Sequence, residues 1–341
     1  MSEAAGSSAE AASRRDRAQR EGREEPRDRP GSPQTFFAPA KLNLFLHVTG
    51  RRADGYHTLE SLFQLIDFGD TLTISVRDDG VIRRTTSLAG VPEASDLVIR
   101  AARLLQRAAQ EPGAAAQAAK WGADIGVTKR IPIGGGMGGG SSDAATVLLV
   151  LNRLWRLDFP RERLMALGLA LGADVPFFVF GQNAFARGVG ERLEAVDAPP
   201  DTPPLWFVVL TPQVEVPTVA IFSAPELTRN AKSVKMADFV AGGQFSVSEP
   251  RFHNDLQPVA EAKVRQIGQA LRALRAACEQ AAAAPAISAR MTGSGACVFA
   301  GFGQELDARA VLAHCPAGLN GRAVRALAEH PLRGWAGSAP V

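Results

Sequence analysis

The chain has 341 residues, 46% hydrophobic and 21% charged, which suits one large or two medium globular domains with a buried core. A formal net charge of +3 is too small to point to nucleic acid, and the few aromatics do not interleave with basic clusters as a base-stacking surface requires. Three widely spaced cysteines with no CxxC argue against a disulfide scaffold or cysteine zinc site and fit a reducing cytoplasm, and no apolar stretch reaches membrane-spanning length.

Residues 1–33 are rich in Ala, Ser, Arg and Glu, with neither the apolar block of a signal peptide nor the acid-poor character of a transit sequence. They are expected to form a disordered tail. Order is expected to begin near Gln34, with a β-like run at 36–48 and strands at 58–68 and 71–76 separated by a Gly69-Asp70 turn. Ser95-Asp96 caps a helix whose apolar residues Leu97, Val98, Ala101, Leu104 and Leu105 recur at helical spacing. The Ala/Gln stretch at 114–119 reads as a short helix or a loop.

A strand at 123–131, a glycine loop and a helix at 142–157 follow, then a helix at 160–172 closed by Gly172 and an extended, strand-like run at 174–180. Prolines in 198–204 suggest a boundary, dividing an N-terminal domain (34–198) from a C-terminal one (199–334) that precedes a short tail (335–341). The second half is expected to hold a strand at 205–210, helices at 235–241 and 256–283, a strand at 296–302, a helix at 304–314 and a closing strand at 322–328. Strands and helices without strict βαβ alternation indicate an α+β architecture.

The most informative segment is Pro132-Ile133-Gly134-Gly135-Gly136-Met137-Gly138-Gly139-Gly140-Ser141-Ser142, followed by Asp143 and a long apolar run. Glycines let backbone approach a ligand without a Cβ in the way. Ser141 or Ser142 is a good N-cap, and Asp143 suits the positive end of the helix dipole. A glycine loop opening a helix turns several N–H groups toward one point, which is how proteins hold phosphate. The loop lacks the Lys of a P-loop, and the GxGxxG template fits it only as it fits any glycine run.

Other clusters carry polar groups in apolar surroundings. Lys41 and Asn43, in Ala38-Pro39-Ala40-Lys41-Leu42-Asn43-Leu44, project from one strand face. A buried lysine there needs a carboxylate or phosphate partner; an edge-strand lysine needs none. Ala53-Asp54-Gly55-Tyr56-His57 is either a structural turn or a ring-stacking, hydrogen-bonding edge. In Gly172-Ala173-Asp174-Val175-Pro176 one carboxylate sits in an apolar run, suited to cation binding, acid–base work or a plain turn. Gly188-Val189-Gly190-Glu191 reads as a tight turn or the border of a ligand, and Met291-Thr292-Gly293-Ser294-Gly295 as a turn or a loop closing over phosphates.

Taken together, the strand motif, the Pro-x-x-x-Gly-Met-Gly-Gly-Gly-Ser-Ser loop and the C-terminal Gly-Ser-Gly loop resemble the GHMP kinases, with Met137 where leucine is usual. Within that family, residues 39–44, 52–57 and 172–176 look like the members acting on 4-diphosphocytidyl-2-C-methyl-D-erythritol, and the match spans about residues 36–334. The resemblance implies a two-domain α+β GHMP kinase fold with its active site in the cleft between domains. It implies ATP with Mg²⁺, phosphorylation of the substrate's 2-hydroxyl in non-mevalonate isoprenoid precursor synthesis, no nucleic-acid or membrane partner, and a monomer or homodimer in the cytoplasm. Carried over by position, Asp174 is the general base and Lys41 its charged partner. Residues 132–142 hold ATP. Tyr56 stacks on the cytosine, His57 hydrogen-bonds to it, Phe222 forms the opposite wall, and Asn43 contacts the substrate near its reacting end. No protein metal ligand is implied. The competing readings are a kinase of a small alcohol such as homoserine or mevalonate, which has no base to stack, and a non-catalytic nucleotide-binding protein.

Overall fold

The computed structural model describes residues 31–111, 120–196, 202–238, 240–241, 244–245, 247 and 250–337. The segment 114–119, most of the 1–33 tail and the first half of the 198–204 proline stretch lie outside them.

Strands β1 (Gln34–Arg51) and β2 (His57–Arg77) form a long antiparallel hairpin. Most of β1 is buried, so it reads as a near-continuous apolar run with no alternation. Gly69-Asp70 is not a turn. β2 runs straight through it, with Gly69 opposite Pro39 and Asp70 opposite Ala38. A Cβ on Gly69 would collide with the Ala38 backbone, so the glycine serves close strand approach and not reversal. Asp70 is fully buried, accepts from Ile131 N–H (2.8 Å) and pairs with Lys129, tying β2 to the entrance of the glycine loop.

After β3 (Ile82–Arg84) comes α1 (Leu97–Ala108), capped as expected by Asp96, whose carboxylate accepts from Val98 N–H at 3.1 Å. β4 (Gly122–Thr128) leads into the loop and α2 (Gly139–Leu154). That helix opens ahead of the expected 142, and its N-cap is Gly138 at φ 72°, not a serine. The Ser142 hydroxyl lies inside the first turn and donates to the Pro39 carbonyl at 2.6 Å.

α3 (Arg161–Leu169) stops short of Gly172, and the run expected to be extended is instead α4 (Val175–Phe180), with Asp174 at its N-cap. Pro176 sits in the first turn, where its missing N–H costs nothing. α4 packs on both α2 and α3 and is buried from Val175 to Val179, which erases the helical period from its sequence.

The hairpin β5 (Ala184–Gly188) and β6 (Arg192–Ala195) turns at the expected Gly188–Glu191 segment, where the Glu191 carboxylate accepts from Val189 N–H at 2.6 Å. Then follow β7 (Trp206–Leu210) and α5 (Thr218–Phe222). In place of a helix at 235–241 there is a 3₁₀ turn, Met236–Asp238, and the small pair β8 (Val240–Ala241) and β9 (Gln244–Phe245). The helix expected at 256–283 is two helices, α6 (Gln257–Lys263) and α7 (Arg265–Gln280), broken where Val264 is extended at φ −131°. β10 (Ile287–Met291), unanticipated, precedes β11 (Val298–Phe302), α8 (Glu305–His314) and β12 (Arg322–Leu327).

Among the described residues one ten-stranded sheet runs in the order β10-β11-β7-β12-β2-β4-β3, with β1 and β5 also paired to β2. β12 joins its two ends by pairing first with β7 and then with β2. One core packs α1–α4 on β2 and β4; another packs α5–α8 on β7, β10 and β11. A third lies between them, with Leu42 and Phe45 of β1, Met137 of the loop, and Phe207 and Phe299 of β7 and β11. Past residue 334 the chain is still packed: Trp335 meets Phe36 edge-on at 5.5 Å and Ala336 is buried, so a free tail does not begin at 335.

Candidate active site

The glycine loop is held down at Met137 and at Gly135, whose carbonyl accepts from Cys297 N–H at 3.2 Å. Met137, its one large side chain between Gly134 and Gly140, is buried in the shared core, and its carbonyl accepts from Lys41 N–H at 3.1 Å. Gly136 at φ 78° lies so close to the second small-residue loop that a Cβ there would strike the Thr292 carbonyl. Conversely, a Cβ on Gly293 would lie 2.7 Å from the Gly136 carbonyl. Two glycine loops from opposite halves therefore meet backbone to backbone. α2 starts with no side-chain cap, so its first N–H groups are free to point at an anion.

A cavity of about 960 Å³ opens over this contact, lined from both halves of the chain. Residues 132–141 border it; Ser142 does not, since its buried hydroxyl turns away to Pro39. Cβ atoms on Gly135, Gly136, Gly138 and Gly139 would strike Cys297, Thr292, Phe178 and Ile131, so the glycines let the loop pack this tightly while its backbone borders the cavity.

Lys41 and Asp174 meet on the cavity wall. Lys41 Nζ lies 3.3 Å from Asp174 Oδ1, donates to Asn43 Oδ1 at 3.0 Å and sits 4.1 Å from the centre of the Phe63 ring. The lysine is almost wholly buried, whereas the Asp174 side chain is 34% exposed to the cavity side. Of the two states the residues alone allowed for Lys41, the paired and buried one is found. Asp174 reaches this position because α4 begins there, pointing the carboxylate back toward β1.

At the other end Tyr56, His57 and Phe222 line the same cavity. Tyr56 is 65% exposed, while the His57 ring lies 5.2 Å from Phe222 at an interplanar angle of 32°. Arg229 Nε donates to His57 Nε2 at 3.1 Å, and the same guanidinium donates to the carbonyls of Phe222 (3.1 Å) and Ala224 (2.6 Å). Burial, then the Arg229 and Arg51 charges, hold His57 below its ordinary value. The ring is thus neutral near pH 7, with its proton on Nδ1.

The chain is similar to known proteins by sequence and by structure. Residues 96–182 match the model "GHMP kinases N terminal domain" and residues 250–320 match "GHMP kinases C terminal". The 4-diphosphocytidyl-2-C-methyl-D-erythritol kinase of Thiobacillus denitrificans is 55% identical over 88% of this chain and 97% of its own length. The chain belongs to the GHMP kinases. A crystal structure of 4-(cytidine 5'-diphospho)-2C-methyl-D-erythritol kinase superposes with a TM-score of 0.68 at 33% identity, covering 86% of this chain and 99% of that one. Homoserine kinase from Cytophaga hutchinsonii, with a TM-score of 0.63 at 15% identity over 90% of this chain and 97% of that one, shares the fold.

In this GHMP kinase, sequence reading missed the groups that hold the site residues in place. Arg229 contacts both His57 and Phe222, and Ser61 and Thr292 contact Asn43. Lys129, next to the loop in sequence, pairs with Asp70 and Asp143. Among the described residues no group of three or more His, Cys, Asp or Glu could hold a metal ion, so a cation here would rest mainly on phosphate oxygens. Asp143 fits one such contact: it borders the cavity, and its Oδ1 is buried without a hydrogen-bond partner. The three cysteines are free, and no described helix is long and apolar enough to cross a membrane.

Proposed function

We propose that this GHMP kinase transfers the γ-phosphoryl group of ATP to the 2-hydroxyl of 4-diphosphocytidyl-2-C-methyl-D-erythritol, giving the 2-phosphate and ADP for non-mevalonate isoprenoid precursor synthesis in the cytoplasm. One observation carries the reading. The uncapped helix and its glycine cradle, the Lys41–Asp174 pair and the Tyr56–His57–Phe222 group all open on a single cavity. That order suits a substrate with an alcohol at one end and a ring base at the other. The identity of the relatives points to the same compound.

In this reading Asp174 accepts the proton of the 2-hydroxyl as its oxygen bonds to the γ-phosphorus and the bond to the β,γ-bridging oxygen breaks, releasing ADP. Lys41 holds Asp174 by an ion pair and offers positive charge to the attacking oxygen. Asn43 borders the cavity beside both and contacts the substrate near its reacting end. The amides at the start of α2 receive phosphate oxygens. Asp143 and Asp174 are the carboxylates able to hold Mg²⁺ beside the phosphates, and bound Mg²⁺ supplies charge neutralisation there. Tyr56 and Phe222 enclose the cytosine, and His57 with Nδ1 protonated offers it a donor; cytosine N3 accepts, whereas uracil N3 carries a hydrogen.

The test is ADP release from ATP and magnesium with the cytidylylated alcohol, beside homoserine and mevalonate. Turnover with the cytidylylated alcohol alone, inhibited by cytidine diphosphate and not by uridine diphosphate, is expected. Turnover of homoserine or mevalonate instead overturns the substrate, and no ADP release with any of them overturns the kinase reading.

A further inference from the structure

The two ends of the Asn43 amide are chemically opposite, and its neighbours decide which end meets Lys41. Lys41 Nζ can only donate, and does so to Asn43 Oδ1. Asn43 Nδ2 donates in turn to Ser61 Oγ at 2.9 Å, and Ser61 Oγ donates to the Phe45 carbonyl at 2.5 Å. A carbonyl only accepts, so the single Ser61 proton is committed to Phe45 and Ser61 must receive from Asn43. On the opposite side Asn43 N–H donates to Thr292 Oγ1 at 2.9 Å, which sends its own proton toward Asn43 Oδ1 at 3.4 Å. Every donor direction in the chain is therefore set. Lys41, Asn43, Ser61 and Thr292 are all buried, so water is poorly placed to substitute for a lost partner.

The strands deliver this geometry. Asn43 faces Phe63 across the β1–β2 pair, and Ser61 lies two residues along β2 on the same face, a diagonal neighbour. A register shift directly after Asn43 leaves Leu44 unpaired and Phe45 opposite Leu62. Bulges of this kind re-aim side chains beside sites.

We infer that Ser61 is a positioning residue for phosphoryl transfer: it locks the Asn43 amide with its oxygen toward Lys41, and so holds the ammonium on Asp174. With the lock removed the buried Asn43 NH₂ has no acceptor, the amide shifts to find one, and Lys41, which donates to its oxygen, moves with it off Asp174. This rests on the kinase reading above.

The experiment uses the full chain with Ser61→Ala and with Ser61→Cys, a close isostere whose thiol accepts poorly. For both, kcat falls about 10- to 100-fold while KM for ATP and for the cytidylylated alcohol stays within about twofold. The loss disappears in an Asn43→Asp background, because a carboxylate presents an acceptor at either end. A parent-like kcat in Ser61→Ala or Ser61→Cys, or the same loss with and without Asn43→Asp, overturns the inference. A parent that releases no ADP with any alcohol defeats the kinase reading instead. In that event a crystal structure of the Ser61 variant decides the lock separately. Lys41 displaced from Asp174 upholds it, and an unmoved Lys41 overturns it.

Discussion

Met137 and Lys41 are joined by one backbone hydrogen bond, with the Met137 side chain anchored in the core shared by the two halves. The glycine loop and the strand that carries the lysine are therefore fixed to each other before any ligand arrives. Met137→Ala empties a fully buried site, and its cost of about 2–5 kcal/mol lowers the urea midpoint. It also loosens the loop, raising KM for ATP more than it lowers kcat. Met137→Leu conserves volume and costs about 1.5 kcal/mol or less. Equal effects of the two variants in denaturation and steady-state kinetics contradict this account of the anchor.

Asp174→Asn keeps the shape of the carboxylate and removes its capacity to take a proton. Its kcat is expected to fall about 10²–10⁴-fold, the usual worth of a placed acid–base group. Lys41→Met fills the buried channel beside Phe63 without leaving an unpaired charge, since Asp174 still reaches the cavity; its kcat is expected to fall over the same range, about 10²–10⁴-fold. Thermal melts of both should stay near the parent's. Near-normal turnover of either purified variant removes that residue from the mechanism.

Arg229 is expected to act on base recognition and not on chemistry. Arg229→Ala removes the donor that fixes the His57 ring and the tie to the Phe222 carbonyl. KM for the cytidylylated alcohol should rise about tenfold, as for loss of a charged hydrogen bond, with KM for ATP and kcat little changed. A matching rise in KM for ATP would show general damage to the cleft.

Asp143 makes stability depend on pH. Burial, joined by the nearby Asp70 and opposed by Lys129, pushes its carboxyl up to about 7 from an ordinary 3.8. The native value lies above the unfolded one, so this group stabilises fully below the unfolded value and its contribution is lost as pH rises through about 7. Urea midpoints of the parent should therefore decline between about pH 4 and about pH 7 more steeply than those of Asp143→Asn. Parallel profiles would assign the decline to other groups.

The parts of the site that the sequence discloses are local ones. A glycine loop entering a helix, and a lysine and an amide two positions apart on a strand, are readable because spacing alone puts them together. The convergence of Lys41 with Asp174 came through family resemblance, because no local spacing links β1 to the start of α4. Gly69-Asp70 misled because a strand glycine needed for close approach has the same sequence signature as a turn. The 174–180 run misled because burial on every side leaves no period to distinguish helix from strand. Arg229 and Ser61 left no signal at all: their partners His57 and Asn43 lie 172 and 18 positions away, and each is an ordinary polar residue until the chain folds.

β12 pairs with β2 through Ala326–Ile66 and Leu327–Leu65, the same β2 residues that face Ala40 and Lys41 of β1 on their other edge. As the chain leaves the ribosome, that stretch of backbone stays uncovered on one side until residues 322–327 have emerged and paired. An unfinished polypeptide thus offers a sticky edge where the mature enzyme offers none, and a premature stop ahead of residue 322 should yield aggregate, not a weakened kinase.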